Sequence, residues 1–81
     1  MSTTELTIYN TQWCGYCQRL KAQLNRAGVP FTEIDIEQDE AAAVFVASVN
    51  SGNLTVPTVV LPSGAALTNP SVARVLEALA N

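Results

Sequence analysis

The stretch LTIYNTQWCGYCQRLK, residues 6–21, contains both cysteines of an 81-residue chain. The segment Leu6–Tyr9 is rich in β-branched and aromatic residues, which is typical of a strand. A helix is predicted from Gly15 to Ala27, because apolar residues recur there at helical spacing. The stretch therefore predicts a strand, a short loop that carries Cys14, and a helix that carries Cys17 in its first turn.

The remaining segments extend this pattern to βαβαββα. A strand is expected at Phe31–Ile36, a helix capped by Asp39 after it, and two short strands at Pro57–Leu61 and Ala66–Leu67. Asn69 is predicted to cap the last helix, with Pro70 at its first position. A βαβ unit requires a parallel pair of strands, and the later hairpin adds antiparallel ones. We therefore expect an α/β fold of the thioredoxin-like type, with a four-stranded mixed sheet flanked by three helices, as one domain over residues 1–81.

Composition narrows the classes of function. The net charge is −3 and the pI is about 4.5, which argues against nucleic acid as a partner. No apolar run approaches the ~20 residues of a membrane span, and residues 1–10 lack a signal-peptide pattern. Two cysteines do not make a secreted disulfide framework. These observations predict a cytoplasmic protein that binds no membrane.

The two cysteines allow three readings. A structural zinc site needs about four ligands, and the chain has no histidine, so only a metal cluster shared with external thiols stays open. A purely structural disulfide over so short a loop adds only about 2 kcal/mol of stability and would be reduced in the cytosol. A working dithiol has a mechanism, because the free N–H groups and dipole of a helix N-terminus favour a thiolate. The sequence thus favours Cys14 as a nucleophile and Cys17 as the thiol able to bridge it.

Three blocks together resemble the glutaredoxin family, and within it the mycoredoxins most of all. They are LTIYNTQWCGYCQRLK, FVASVNSGNLTVPTV and the stretch from Gly64 to Ser71, which contains LTNPS. The resemblance implies that Cys14 is the nucleophile, that Cys17 is its partner in a redox-active disulfide, and that Pro57 follows a cis peptide bond. It also implies a substrate groove formed by Trp13, Tyr16, Thr55, Val56, Pro57, Thr68 and Asn69.

The departures from related families bear on the substrate. Glutathione-type glutaredoxins usually carry a lysine three residues before the nucleophile, where this chain has Thr11. Mycothiol presents neutral sugar hydroxyls, which suit threonine and asparagine side chains better than a cation. We therefore expect a mycothiol-dependent disulfide reductase that acts on S-mycothiolated proteins through one thiol. It would be a monomer without bound cofactor or metal, and its electrons would come from NADPH through a flavoprotein reductase.

Two alternatives stay open at this point. The chain could instead be a redoxin coupled to thioredoxin reductase, which reduces protein disulfides with both cysteines. It could also be a non-catalytic adaptor or iron–sulfur cluster carrier that uses Cys14 as a ligand.

Overall fold

A computed structural model describes residues 6–80 of the chain. It contains four strands and three helices in this part of the sequence. In chain order they are β1 (Leu6–Asn10), α1 (Gly15–Arg26), β2 (Phe31–Asp35), α2 (Glu40–Val49), β3 (Thr58–Val60), β4 (Ala66–Thr68) and α3 (Val72–Ala80). The predicted order βαβαββα is confirmed.

The four strands form one mixed sheet in the order β2-β1-β3-β4. β1 pairs with β2 in parallel, whereas β1 with β3 and β3 with β4 are antiparallel. Helix α1 connects β1 to β2 and returns the chain to the same end of the sheet, so the two strands run in parallel. The mixed thioredoxin-like sheet predicted from the pattern is therefore correct.

Helices cover the sheet on two sides, because the strands present apolar side chains to both faces. On one side, α1 and α3 pack over a buried cluster made by Leu6, Ile8, Leu20, Leu24, Val59, Leu61 and Val75. On the other side, α2 packs through Ala42 and Val46, with Tyr9 and Val56 against them. None of the helices between residues 6 and 80 is long and apolar enough to cross a bilayer.

The end of α1 and the start of α2 lie where the sequence places them. Gly28 has a φ of +74°, its N–H donates to Asn25 O, and the N–H of Val29 donates to Leu24 O at 3.0 Å. This pair of bonds is a Schellman motif, which needs a residue that tolerates the left-handed region. At the other junction, the Asp39 carboxylate accepts the Ala42 N–H at 3.0 Å, so Asp39 caps α2 as predicted.

The predicted start of α3 is wrong by two residues. Ser71, not Asn69, caps this helix: its hydroxyl accepts the Arg74 N–H at 3.1 Å. Asn69 instead adopts a left-handed φ of +46°, and its backbone N–H donates to Pro57 O at 2.7 Å. That tertiary hydrogen bond ties the loop before α3 to β3, so Pro70 lies before the helix rather than at its first position.

Candidate active site

Cys14 lies where the loop after β1 enters α1. It is the N-cap residue, with an extended backbone (φ −83°, ψ 114°), and its Sγ accepts the N–H of Cys17 at 3.2 Å. A sulfur therefore occupies the place of the serine, threonine or aspartate oxygen that caps most helices. In this position Sγ meets a first-turn N–H that has no partner within the helix. The geometry holds Cys14 Sγ beside the positive end of the α1 dipole.

Cys17 lies one turn further along α1, on the face that packs against the sheet. Both thiols are free, but Cys17 has no exposed surface, whereas Cys14 retains 6%. Burial, followed by the hydrogen bond to Cys14, raises the pKa of Cys17 to about 12. Both cysteines are thus buried, but only Cys14 retains some exposed surface, and Cys17 is held in its neutral form at physiological pH.

The segment Thr55–Pro57 faces Cys14 from the other half of the chain. The Val56–Pro57 peptide bond is cis, as the resemblance implied. The thiol of Cys14 donates to Val56 O across 3.9 Å, and Pro57 is fully buried behind it. Among residues 6–80, no group accepts a hydrogen bond from the Val56 N–H. The chain thus leaves one backbone donor free beside the sulfur of Cys14.

Two exposed aromatic side chains flank this position. Trp13 is 72% exposed and Tyr16 is 68% exposed. The indole N–H of Trp13 donates to Glu37 Oε2 at 2.9 Å, which links the loop before α1 to the loop after β2. Apolar rings left in water next to a thiol offer a contact surface, because burying them on a ligand is favourable.

Thr68 and Asn69, the remaining predicted groove residues, lie at the end of β4. The hydroxyl of Thr68 donates to Asn50 Oδ1 at 2.5 Å, so its proton is used within the protein. The side chain of Asn69 lines a surface cavity together with Tyr16. The structure therefore brings Cys14 together with Val56, the residue before Pro57. It also places Asn69 next to Pro57 through their backbone hydrogen bond.

Asn50 is a residue of this site that the sequence analysis missed. Its amide donates to Val46 O at 2.8 Å and to Thr58 Oγ1 at 3.1 Å, and Thr58 in turn donates to Thr55 O at 2.8 Å. With the bond from Thr68, this network connects the end of α2 to β3, β4 and the loop that faces Cys14. The sequence signal was an asparagine just after a helix, which resembles an ordinary turn residue.

Thr11 lies three residues before Cys14, at the position where glutathione-type glutaredoxins usually carry a lysine. It is 2% exposed, its carbonyl accepts the Cys14 N–H at 3.4 Å, and its hydroxyl has no partner among the described residues. A lysine ammonium at such a buried position would need a compensating charge. Thr11 therefore contacts the loop that carries Cys14 through its carbonyl, and it places no cation at the surface.

Comparison with known proteins agrees with this geometry. The glutaredoxin family model matches residues 6–63. A Mycobacterium tuberculosis protein assigned to the glutaredoxins is 56% identical over 75 residues, which cover 93% of this chain and 89% of that one. Mycoredoxin 1 of Corynebacterium glutamicum is 46% identical over 80 residues, 95% of this chain and 99% of its own. The crystal structure of a glutaredoxin from Archaeoglobus fulgidus superposes with a TM-score of 0.70 at 26% identity, and covers 93% of this chain and 85% of that one. A free thiol at a helix N-terminus, a cis proline opposite it and these matches agree: the chain belongs to the glutaredoxin family of oxidoreductases.

Proposed function

We propose that the protein reduces mixed disulfides between proteins and mycothiol, and that Cys14 alone carries the reaction. The observation that supports this most directly is the contrast between the two thiols. Cys14 has accessible surface and an N–H donor aimed at its sulfur, whereas Cys17 is fully buried and its pKa is raised to about 12. A thiolate is the reactive form, so Cys14 is the nucleophile.

The proposed cycle has two exchange steps. The Cys14 thiolate attacks the mycothiol sulfur of the mixed disulfide; a Cys14–mycothiol bond forms, and the client protein leaves as a thiolate that takes up a proton. A second mycothiol thiolate then attacks the mycothiol sulfur on Cys14. This releases oxidised mycothiol and regenerates Cys14. Each cycle consumes one free mycothiol and converts one mixed disulfide into a free client thiol and one oxidised mycothiol, so the cycle needs no bound cofactor.

The groove around Cys14 is proposed to orient the incoming disulfide. The free N–H of Val56 would pair with a backbone-like amide of the small thiol, as one strand pairs with another. Trp13, Tyr16 and Thr55 would line the approach, Pro57 would support it, and Thr68 and Asn69 would close its far end. Cys17 would take part only when it captures the intermediate as the Cys14–Cys17 disulfide.

Mycothiol is preferred over glutathione on two grounds. Thr11 removes the cation that would meet a glutathione carboxylate. The name of the Corynebacterium glutamicum relative, Mycoredoxin 1, points to the same thiol. On this proposal the chain acts as one domain over residues 1–81, as a cytoplasmic monomer. Its clients are S-mycothiolated proteins, and NADPH supplies electrons through a flavoprotein that reduces oxidised mycothiol.

A second candidate is a two-thiol redoxin that depends on thioredoxin reductase. The observation in its favour is the hydrogen bond of 3.2 Å between the Cys17 N–H and Cys14 Sγ, which shows how close the second cysteine lies to the first. In that mechanism the Cys17 thiol must attack the intermediate, or the client stays covalently bound.

The experiment that separates these mechanisms uses Cys17→Ser. On a mycothiolated peptide, with mycothiol as reductant, we expect the variant to retain most of its activity, because the second mycothiol does the resolving. On an intramolecular protein disulfide, we expect the activity to be lost. Cys14→Ser is the matched control and should be inactive on both substrates. A Cys17→Ser protein that accumulates as a stable adduct despite excess mycothiol contradicts the one-thiol mechanism.

The choice of small thiol needs a separate measurement. Wild-type protein is assayed side by side on the same peptide carrying mycothiol or glutathione. We expect higher kcat/KM with mycothiol. Equal or higher kcat/KM with glutathione refutes the mycothiol assignment and leaves the family activity intact.

A further inference from the structure

Cys17 has a charged neighbour one helical turn further along α1. Lys21 follows it by four residues, a spacing at which two side chains share a helix face with about 5–6 Å between their Cβ atoms. Helical side chains lean towards the N-terminus, so Lys21 extends back over the turn that contains Cys17. The side chain of Lys21 is only 13% exposed, which is low for a lysine. A cation therefore lies beside the buried thiol that the proposed catalytic cycle does not use.

Two residues of the sheet hold this cation in place. Lys21 Nζ is 2.8 Å from Glu33 Oε1, and the same oxygen accepts the side-chain amide of Asn10 at 3.2 Å. Glu33 belongs to β2, and the buried Asn10 ends β1. The hydrogen bond from Lys21 lowers the pKa of Glu33, so the pair is ionised at physiological pH. The Glu33 side chain is 50% exposed, so water can solvate its carboxylate when Lys21 is removed.

The groups that act on the Cys17 sulfur come from α1 and from the loop after β1. Burial, then the hydrogen bond to Cys14 and the charge of Cys14, raise the pKa of Cys17. A backbone hydrogen bond from Thr11 and the Lys21 ammonium lower it. Lys21 carries the only full positive charge among these groups, and Glu33 opposes that charge from β2. A thiolate at position 17 thus meets a cation whose field Glu33 partly cancels.

We propose that Lys21 is a positioning residue that stabilises the negative charge on Cys17 as this thiol attacks Cys14, and that Glu33 limits the effect. The inference rests on the proposed function, in which Cys14 carries the small thiol and Cys17 can capture that intermediate. Cys17 loses its proton to solvent and its sulfur attacks Cys14 Sγ. The Cys14–Cys17 bond forms, the bond to the small thiol breaks, and the small thiol leaves as a thiolate that takes up a proton. Cys17 is oxidised and the small thiol is reduced, so Lys21 and Glu33 together set how often the protein leaves the one-thiol cycle.

The two partners of this ion pair should have opposite effects on the attack by Cys17. Cys14 is first converted at low pH into its mixed disulfide with thiopyridine, which mass spectrometry verifies, and a jump to pH 7 starts the release of the chromogenic thiopyridone. We expect Lys21→Met to slow this release about 2- to 5-fold and Glu33→Gln to accelerate it about as much. The factors are modest because a thiolate that forms less readily is also more nucleophilic. Both substitutions keep the approximate shape of the side chain, and the amide oxygen that replaces the carboxylate still accepts from Asn10.

Three further variants are the controls for this measurement. Cys17→Ser should release no thiopyridone. Arg26→Met removes an exposed cation from the last turn of the same helix and should leave the rate unchanged. Lys21→Arg retains the positive charge and should release at close to the wild-type rate. Rates that move in the same direction in Lys21→Met and Glu33→Gln, or that do not move, overturn the proposal, because loss of the ion pair itself is common to both variants.

The equilibrium of closure supplies a readout that a purely structural role would move. At pH 7 Cys17 is neutral before closure and disulfide-bonded after it, so Lys21 faces no charge on this sulfur in either state. The equilibrium of the Cys14–Cys17 disulfide with a reference dithiol should therefore stay within about twofold of wild type in Lys21→Met. An equilibrium that shifts as much as the rate contradicts the proposal.

Turnover of the mycothiolated peptide by the same proteins separates this inference from the catalytic proposal. If the wild type fails to turn over that peptide while the two release rates move in opposite directions, the catalytic proposal fails and this inference holds. If turnover is as proposed and the release rates do not differ, this inference fails and the catalytic proposal holds.

Discussion

At the scale of single residues, the two cysteines differ because of where α1 places them. Position 14 is the helix cap, at the boundary between loop and solvent, and position 17 is in the first turn on the buried face. The same thiol group therefore keeps a small exposed surface at position 14 and has none at position 17. A buried thiol avoids the charged form, since a thiolate there would lose its hydration.

This difference predicts how stability depends on pH. The pKa of Cys17 is about 12 in the folded protein and 9.0 as its ordinary value, so the folded state holds a proton that the unfolded state loses above pH 9. The free energy of unfolding should then fall as pH rises from about 9 towards 12, by up to about 1.4 kcal/mol per pH unit. Urea unfolding of the reduced protein at pH 8 and at pH 10.5 measures the decline.

Cys17→Ser is the control for that decline, because serine does not titrate in this range. We expect its free energy of unfolding to fall less between the two pH values than that of the wild type. A decline of the same size in both proteins would show that other groups cause it.

At the scale of elements, the loop that faces Cys14 depends on hydrogen bonds from three directions. Asn50 joins the end of α2 to Thr58 in β3 and accepts from Thr68 in β4. Thr58 is fully buried, so it cannot replace a lost partner with water. Through Thr58, this network reaches the carbonyl of Thr55, directly before Val56 and the cis peptide bond.

Asn50→Ala should destabilise the protein by about 1–3 kcal/mol, because the buried Thr58 hydroxyl loses the donor that Asn50 supplies and the Val46 carbonyl loses its side-chain hydrogen bond. Thermal or urea unfolding measures the loss, and kcat/KM at low temperature shows whether the loop has also moved. Asn53→Ala is the matched control in the same loop. Asn53 is exposed and its side chain makes one hydrogen bond, to Asn50 O, so we expect a change under about 0.5 kcal/mol. Equal losses for the two variants would contradict the role of the network.

Elements whose ends depend on neighbouring residues were predictable from the sequence. Gly28 and Asp39 define the end of α1 and the start of α2 through bonds within a few residues. The start of α3 was not predictable in this way, because residues 68–71 offer two capping side chains, Asn69 and Ser71. The hydrogen bond from the Asn69 N–H to Pro57 O decides between them. Asn50 and Glu37 were missed for the same reason: their partners Thr68 and Trp13 lie 18 and 24 residues away. Local capping chemistry is visible in a sequence, whereas such long-range pairings appear only in the fold.

At the scale of the described molecule, the site joins two parts of the chain that follow one another in sequence. Cys14 and Cys17 come from the βαβ unit, whereas Val56, Pro57 and Asn69 come from the segment that contains β3 and β4. The sheet connects them, because β3 pairs with β1 through Val59 opposite Ile8 and with β4 through Val59 opposite Leu67. Val59 has no exposed surface and lies in the core under α1 and α3. The site therefore exists only when this central pairing is formed, although Val59 itself is not one of the groove residues.

Val59→Ala should consequently separate stability from catalysis. Removing two buried methyl groups costs about 2 kcal/mol, with a further contribution from the cavity left behind. For a chain of this size that corresponds to a fall in Tm of roughly 8–16 °C. Below the transition the folded fraction still contains Cys14, Val56 and Pro57 in their places, so kcat/KM at 15 °C should stay within about twofold of wild type. Val44→Ala, at a position 66% exposed on α2, removes the same atoms and should leave Tm nearly unchanged. If Val59→Ala lost activity at 15 °C while circular dichroism showed it fully folded, the pairing of β3 with β1 would act on the site directly rather than through the stability of the sheet.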